Sequence, residues 1–101
     1  MTYTYWLHEK IQADFNEAFA WYEDKQEGLG YEFLNAVEKK IEEIVALPQT
    51  FSSKGNRNYR EALVDRFPYI IVYRIYSRKK EIFISAVHHA KKSPRKKYRR
   101  S

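Results

Sequence analysis

Three apolar stretches between residues 59 and 89 constrain the fold more than any other part of the sequence. They cover residues 59–64, 69–76 and 82–88 and are rich in β-branched and aromatic residues, which suit a pleated, half-buried surface. Short polar segments separate them, and Pro68 and the Arg78-Lys79-Lys80 run are typical of turns. The pattern therefore predicts a three-stranded antiparallel meander with residues 69–76 in the middle.

Ahead of the meander, the apolar residues repeat with the period of a helix. One stripe predicts a helix over residues 8–26, and a second predicts a helix from residue 31 to Pro48. The first stripe consists of Ile11, Phe15, Ala18, Phe19 and Tyr22, and the second of Phe33, Leu34, Val37, Ile41, Ile44 and Val45. Gly28-Leu29-Gly30 lies between them and predicts a tight turn. The two helices should form an antiparallel hairpin that buries its stripes on the sheet.

An aromatic, β-branched segment at residues 2–7 predicts a first strand at an edge of the same sheet. The expected fold class is therefore α+β, with a helical hairpin packed on a four-stranded antiparallel sheet. We expect residues 1–90 to form a single domain and residues 91–101 to form a basic C-terminal tail.

Composition excludes several classes of site. The 101-residue chain has no cysteine, which rules out disulfides, thiolate catalysis and zinc–thiolate centres. No 18-residue apolar run is present, and the first residues lack a signal-peptide pattern. These features predict a soluble cytoplasmic protein that has no metal site, no cofactor and no membrane partner.

Charge divides the chain into two halves of opposite sign. Residues 8–47 carry ten acidic residues against four lysines, a balance of −6, whereas residues 48–101 carry fifteen Lys and Arg against three acids, a balance of +12. Seven of those cations follow Ala90. Such polarity favours a charged partner, and the tail could contact phosphates, bind an acidic protein segment or remain solvated.

The order and spacing of these elements resemble those of the RelE/ParE superfamily, the toxins of bacterial type II toxin–antitoxin modules. The residues that carry the resemblance are Asp14, Ala18, Trp21, Tyr22, Gly28, Leu29, Gly30, Phe33, Pro48, Tyr59, Arg60, Phe67, Pro68, Tyr69, Val72, Tyr73, His89 and Pro94. The resemblance implies a small α+β toxin that binds a cognate antitoxin. It also implies that the cellular target is either DNA gyrase or the translating ribosome with its mRNA.

Two branches of the superfamily differ in the central strand. The RNA-cleaving members resemble one another in an arginine just before Leu-Val-Tyr, where this chain has Ile70 or Tyr69. The segment 67–69 and the Gly28-Leu29-Gly30 turn are more similar to the ParE side, which implies gyrase as the target. A ribosome-dependent mRNA endonuclease and a non-toxic binding module of the same fold remain the alternatives.

Metal-free RNA cleavage requires a base, a cation beside the phosphate and an acid. The candidates for these roles are Arg60, His88 and His89, although adjacent residues of a strand point to opposite faces. We expect antitoxin or target binding to involve a larger, mostly basic set. Its members are Arg60, Arg74, His89, Lys91, Lys92, Arg95, Lys96, Lys97, Tyr98 and Arg99.

Overall fold

The computed structural model describes residues 3–51, 53–54 and 56–91, which form one mixed sheet covered by a helical hairpin. The helices are α1 (Ile11–Lys25) and α2 (Leu29–Ala46). The strands are β1 (Thr4–Leu7), β2 (Ser53–Lys54), β3 (Asn56–Leu63), β4 (Tyr69–Tyr76) and β5 (Glu81–His89). The expected α+β class with a helical hairpin on a sheet is confirmed. Most of the expected tail, residues 92–101, lies outside the described residues.

The strand order is β1-β5-β4-β3-β2, so the predicted meander of β3, β4 and β5 forms the body of the sheet. The strand β1 lies at one edge, as expected, but it runs parallel to β5, with Thr4 opposite Glu81 and Leu7 opposite Ile84. No tight turn connects these two strands, because both helices and the other strands intervene in the sequence. The sheet therefore has five strands rather than the expected four, because the two-residue β2 pairs with β3, and it is mixed, although most of its pairs are antiparallel.

The hairpin turn is tighter than the sequence predicted, because α2 already begins at Leu29. Gly28 takes the left-handed conformation with φ 88°, which glycine adopts without the steric cost of a Cβ. The carboxylate of Glu23 accepts hydrogen bonds from the backbone N–H groups of Gly28 (2.8 Å) and Gly30 (2.9 Å). The first N–H groups of a helix have no intrahelical acceptor, so the carboxylate satisfies them and complements the helix dipole.

The face of the sheet that the helices cover, here called the inner face, holds the main core. Its buried residues from the strands are Ala62, Ile71, Tyr73, Ile82, Ile84 and Val87. The helices contribute Ile11, Ala18, Phe33, Val37, Ile41 and Ile44. The ring of Phe33 contacts those of Tyr22 (5.3 Å between centroids), Phe67 (5.4 Å) and Tyr69 (4.8 Å). The predicted apolar stripes therefore do bury against the sheet.

The opposite side, here called the outer face, has a smaller cluster formed by Tyr59, Val72 and Ala86, with Ile70 packed against it. Alternation along each strand sends successive side chains to opposite faces, and a bulge between Val72 and Tyr73 shifts the register with β5. Within the described residues, neither helix is long and apolar enough to cross a membrane.

Candidate functional site

Arg60, the basic residue expected to act in binding or cleavage, lies on the inner face. Its Nη1 donates a hydrogen bond to the backbone carbonyl of Phe51, and its neighbour on β4 is Tyr73. The Tyr73 hydroxyl donates to the backbone carbonyl of Pro48. Two side chains of the sheet therefore anchor the segment that follows α2. The side chain of Phe51 packs against the main core.

The environment of Tyr73 is dry. The residue is fully buried, and burial raises the pKa of its hydroxyl to about 12, while the nearby positive charge of Arg60 offsets part of the rise. A neutral Tyr73 hydroxyl remains a hydrogen-bond donor to Pro48 up to strongly alkaline pH. Arg60 and Tyr73 thus act together in holding the segment at residues 47–51.

Arg74 lies on the outer face, one residue further along β4. Its guanidinium carbon lies 5.9 Å from the ring centroid of Tyr59 and 5.1 Å from that of Tyr76. A guanidinium over aromatic rings makes cation–π contacts and keeps its N–H groups available to an acceptor. This position is compatible with the binding role expected for Arg74.

His88 and His89 end β5 and point to opposite faces. The Nδ1 of His88 donates to the carbonyl oxygen of His89 at 2.8 Å, and His88 lies opposite Ile70 on β4. The ring of His89 contacts that of Tyr69 on the inner side, with centroids 5.4 Å apart, and its Nδ1 accepts the backbone N–H of Lys91 at 3.1 Å. The side chain of Lys91 is exposed.

The candidate ribonuclease residues are therefore separated. Arg60 and His88 lie on opposite faces. His89 shares the inner side with Arg60 but lies two strands away, opposite Tyr69 of β4, whereas Arg60 pairs with Tyr73 of that strand. In the described part of the chain, no group of three or more His, Cys, Asp or Glu residues could hold a metal ion. The other expected binding residues, Lys92, Arg95, Lys96, Lys97, Tyr98 and Arg99, lie outside the described residues.

An apolar groove of about 490 Å³ runs between β1 and the helical hairpin. The strand contributes Tyr5 and Leu7, which are 48% and 38% exposed. The helices contribute Phe15, Phe19, Tyr31, Leu34, Val37 and Ile41. Glu38 is the one charged residue among the described residues that line the groove. Exposed apolar surface of this kind, with a polar rim, is typical of a protein-binding site.

Sequence reasoning gave no role to Lys40, which the structure buries. Its Nζ lies 3.0 Å from Glu43 and 3.4 Å from Asp65, and it sits over the ring of Phe51. Burial alone would lower the pKa of Lys40, but the two carboxylates outweigh that effect and raise it. Lys40 lies three residues from Val37 and four from Ile44, and this position within an apolar stripe is the signal that could have revealed it.

The model of a known protein family matches most of the sequence. Residues 5–94 match the family described as the ParE toxin of the type II toxin–antitoxin system parDE. No curated protein matches the sequence at a significant level.

Solved structures share the fold at low sequence identity. A chain of the chromosomal ParDE toxin–antitoxin system from P. aeruginosa is 14% identical, with a TM-score of 0.76, over 88% of this chain and 97% of that chain. A double arginine-to-alanine mutant of the E. coli toxin RelE in the free state is 19% identical, with a TM-score of 0.72, over 99% and 94% of the two chains. The isolated E. coli RelE toxin is 17% identical, with a TM-score of 0.66, over 96% of this chain and 94% of that chain.

Proposed function

The chain belongs to the ParE toxin family of type II toxin–antitoxin systems, and from this premise we propose that it inhibits growth by acting on DNA gyrase in the cytoplasm. We further propose that a cognate antitoxin neutralises it. It is a toxin of a toxin–antitoxin system, so the open questions are the identity of its target and the way in which the antitoxin binds.

The separation of Arg60 from His88 is the observation that carries the choice of gyrase over mRNA. Cleavage of RNA without a metal needs a cation and a proton-transferring group around one phosphate. Here the guanidinium of Arg60 donates to the carbonyl of Phe51 on the inner face, while His88 projects from the outer face. Ile70 or Tyr69, neither of them basic, also occupies the central-strand position where the RNA-cleaving members resemble one another in having an arginine. These features favour a toxin that binds its target rather than one that cleaves RNA.

Two surfaces suit an antitoxin. The groove beside β1 offers apolar side chains to a helical or extended segment, and the basic half of the chain attracts an acidic one. One of the structurally similar chains comes from a ParDE toxin–antitoxin system, in which a toxin has an antitoxin partner. We propose an antitoxin segment whose apolar residues fill the groove and whose acidic residues lie on the basic half.

Growth arrest tests the target. The chain should be expressed from an inducible promoter in bacteria, while DNA damage, cell length and the rate of protein synthesis are followed from the first minutes. Inhibition of gyrase should give DNA damage and filaments before translation falls. A halt of protein synthesis within minutes, without DNA damage, would instead favour the mRNA endonuclease, and harmless expression would favour a non-toxic binding module.

Binding measurements test the antitoxin proposal with the product of the neighbouring small gene. We expect Tyr31→Asp, at a 63% exposed position of the groove, to weaken the complex strongly, and Trp21→Asp, at a 59% exposed position outside the groove in the same acidic half, to leave it intact. Association should also slow steeply as salt rises, because the basic half attracts the acidic segment. Equal effects of the two variants would refute the proposal that the antitoxin binds in the groove. An association rate that does not change with salt would refute the proposed attraction between the basic half and the acidic segment.

A further inference from the structure

A row of aromatic rings and one guanidinium crosses the outer face over four strands. Trp6 on β1 pairs with Phe83 on β5, and Phe83 pairs with Arg74 on β4. Tyr59 on β3 continues the row, since it precedes Arg60, the partner of Tyr73. Trp6 and Phe83 lie 4.2 Å apart between ring centroids. With strands about 4.8 Å apart, the row extends over roughly 14 Å.

Burial divides the row into a support and a contact surface. Phe83 and Tyr59 are buried, at 4% and 2% exposure, and support the residues beside them. Trp6 is 48% exposed and belongs to the edge strand, so a ligand can reach its indole from the side of the sheet. Tyr76, on the same strand and face as Arg74, is half-buried and lies two residues nearer the β4–β5 turn.

The charge at this end of the sheet is positive. Residues 74–80 contain Arg74, Arg78, Lys79 and Lys80 and no acidic residue. The last three form the exposed turn between β4 and β5, where Lys80 sits over the ring of Tyr3. Among the described residues, two acids lie on the outer face, Glu61 on β3 and Glu81 at the start of β5, against the four cations of residues 74–80.

We propose that this end of the outer face binds single-stranded nucleic acid. Bases would stack on Trp6 and Tyr76, while Arg74, Arg78 and Lys79 contact the phosphates. Exposed rings between cations are the usual means by which proteins hold single strands, because every base has a π-face. A duplex hides those faces, and an acidic peptide would use the cations alone. The proposal concerns binding without cleavage and goes beyond the action on gyrase.

The chain contains an internal control. Its second tryptophan, Trp21 on α1, is 59% exposed and has Lys25 Nζ 4.2 Å from its ring centroid. Trp21 lies in the acidic half, next to Glu23 and Asp24. The two tryptophans therefore have similar exposure but lie in parts of the chain with opposite charge. Only Trp6 should meet a polyanion.

Tryptophan fluorescence of the purified full-length chain, titrated with a 20-nucleotide oligothymidine, tests the proposal. The Trp21→Phe variant, which retains Trp6, should show quenching, and the Trp6→Phe variant should show little. We expect Trp6→Ala to bind about ten-fold more weakly by polarisation of a labelled oligonucleotide, the loss typical of one stacked base. The seven cations beyond Ala90 are common to all variants and cannot create a difference between them.

A second variant separates a loss of binding from a loss of the fold. Arg78→Glu with Lys79→Glu alters only exposed turn residues and should weaken binding at least as much, with an unchanged circular dichroism spectrum. Quenching of Trp21 rather than Trp6, equal affinity for a duplex of the same length, or the same Trp6 dependence with polyglutamate would each overturn the proposal. Because the titration contains neither gyrase nor antitoxin, its failure leaves the proposed function standing.

Discussion

The inner and outer faces of the same sheet serve different purposes. On the inner face, Ile71, Tyr73 and Ile84 are fully buried under two helices, and even Arg60 has its guanidinium bound to a backbone carbonyl. On the outer face, Arg74 lies between two tyrosine rings and Trp6 remains half exposed. The same residue type therefore serves the fold on one face and remains available to a partner on the other.

This difference shows that strand position alone does not identify a functional arginine. Arg60 and Arg74 are both basic residues in apolar strands, and both were expected to bind a partner. What separates them is the segment after α2, which brings the carbonyl of Phe51 to Arg60 and has no counterpart at Arg74 among the described residues. Substitutions on the inner face should consequently lower the stability of the fold, whereas substitutions on the outer face should weaken the binding of a partner.

The largest expected effect is that of Phe33→Ala. Phe33 is fully buried and contacts three other rings, so removing its ring should lower the free energy of unfolding by about 3–5 kcal/mol. Urea denaturation would measure the loss. A loss below about 1 kcal/mol would mean that the inner face does not hold the fold.

The next effect depends on pH and concerns Tyr73. The unfolded chain releases this hydroxyl proton near pH 10 and the folded chain near pH 12, so deprotonation favours the unfolded state as pH rises between these values. The contribution is fully present below pH 10, and its loss by pH 12 should cost about 2–3 kcal/mol. Between pH 10 and 12, the free energy of unfolding should fall less steeply for Tyr73→Phe than for the unsubstituted chain. Identical slopes would contradict the burial of the Tyr73 hydroxyl.

Gly30→Ala should destabilise the hairpin that covers the inner face. A Cβ there would lie 2.7 Å from the ring of Phe19 and 2.8 Å from its carbonyl oxygen, so we expect a loss of about 1–3 kcal/mol. Gly28→Ala is the control, because a Cβ there meets nothing within 4 Å and only the left-handed backbone is strained, at about 1 kcal/mol. A lower melting temperature for Gly28→Ala than for Gly30→Ala would contradict the close contact between Gly30 and Phe19.

The smallest effect is expected for Leu63→Ser on the outer side of β3. Leu63 is 60% exposed, whereas its neighbour Ala62 is 1% exposed and faces the helices. We expect the free energy of unfolding to change by no more than about 0.5 kcal/mol. A loss above about 1.5 kcal/mol would show that this side of the strand is covered as thoroughly as the inner face.

Periodicity was sufficient to predict most of the fold. Two stripes of helical spacing placed Phe33 and Ile44 in the core, and both are fully buried. The adjacent positions of His88 and His89 predicted that the two rings point to opposite faces, and they do. These predictions succeeded because each depends on local geometry, which the period of a helix or a strand determines.

Features that depend on distant segments were not predictable. A four-residue strand carries no signal for its direction, so the parallel pairing of β1 with β5 could not be inferred. The contacts of Arg60 with Phe51 and of Lys40 with Asp65 depend on the paths of two loops. The apolar groove arises only when β1 lies beside both helices, and the sequence pattern does not specify that arrangement.

The most direct test of this toxin is the supercoiling activity of purified DNA gyrase in the presence of the purified chain. We expect supercoiling to fall as the chain is added and to recover when the antitoxin is supplied in equal amount. Unchanged supercoiling, together with cleavage of ribosome-bound mRNA by the same preparation, would contradict the proposal that this toxin acts on gyrase.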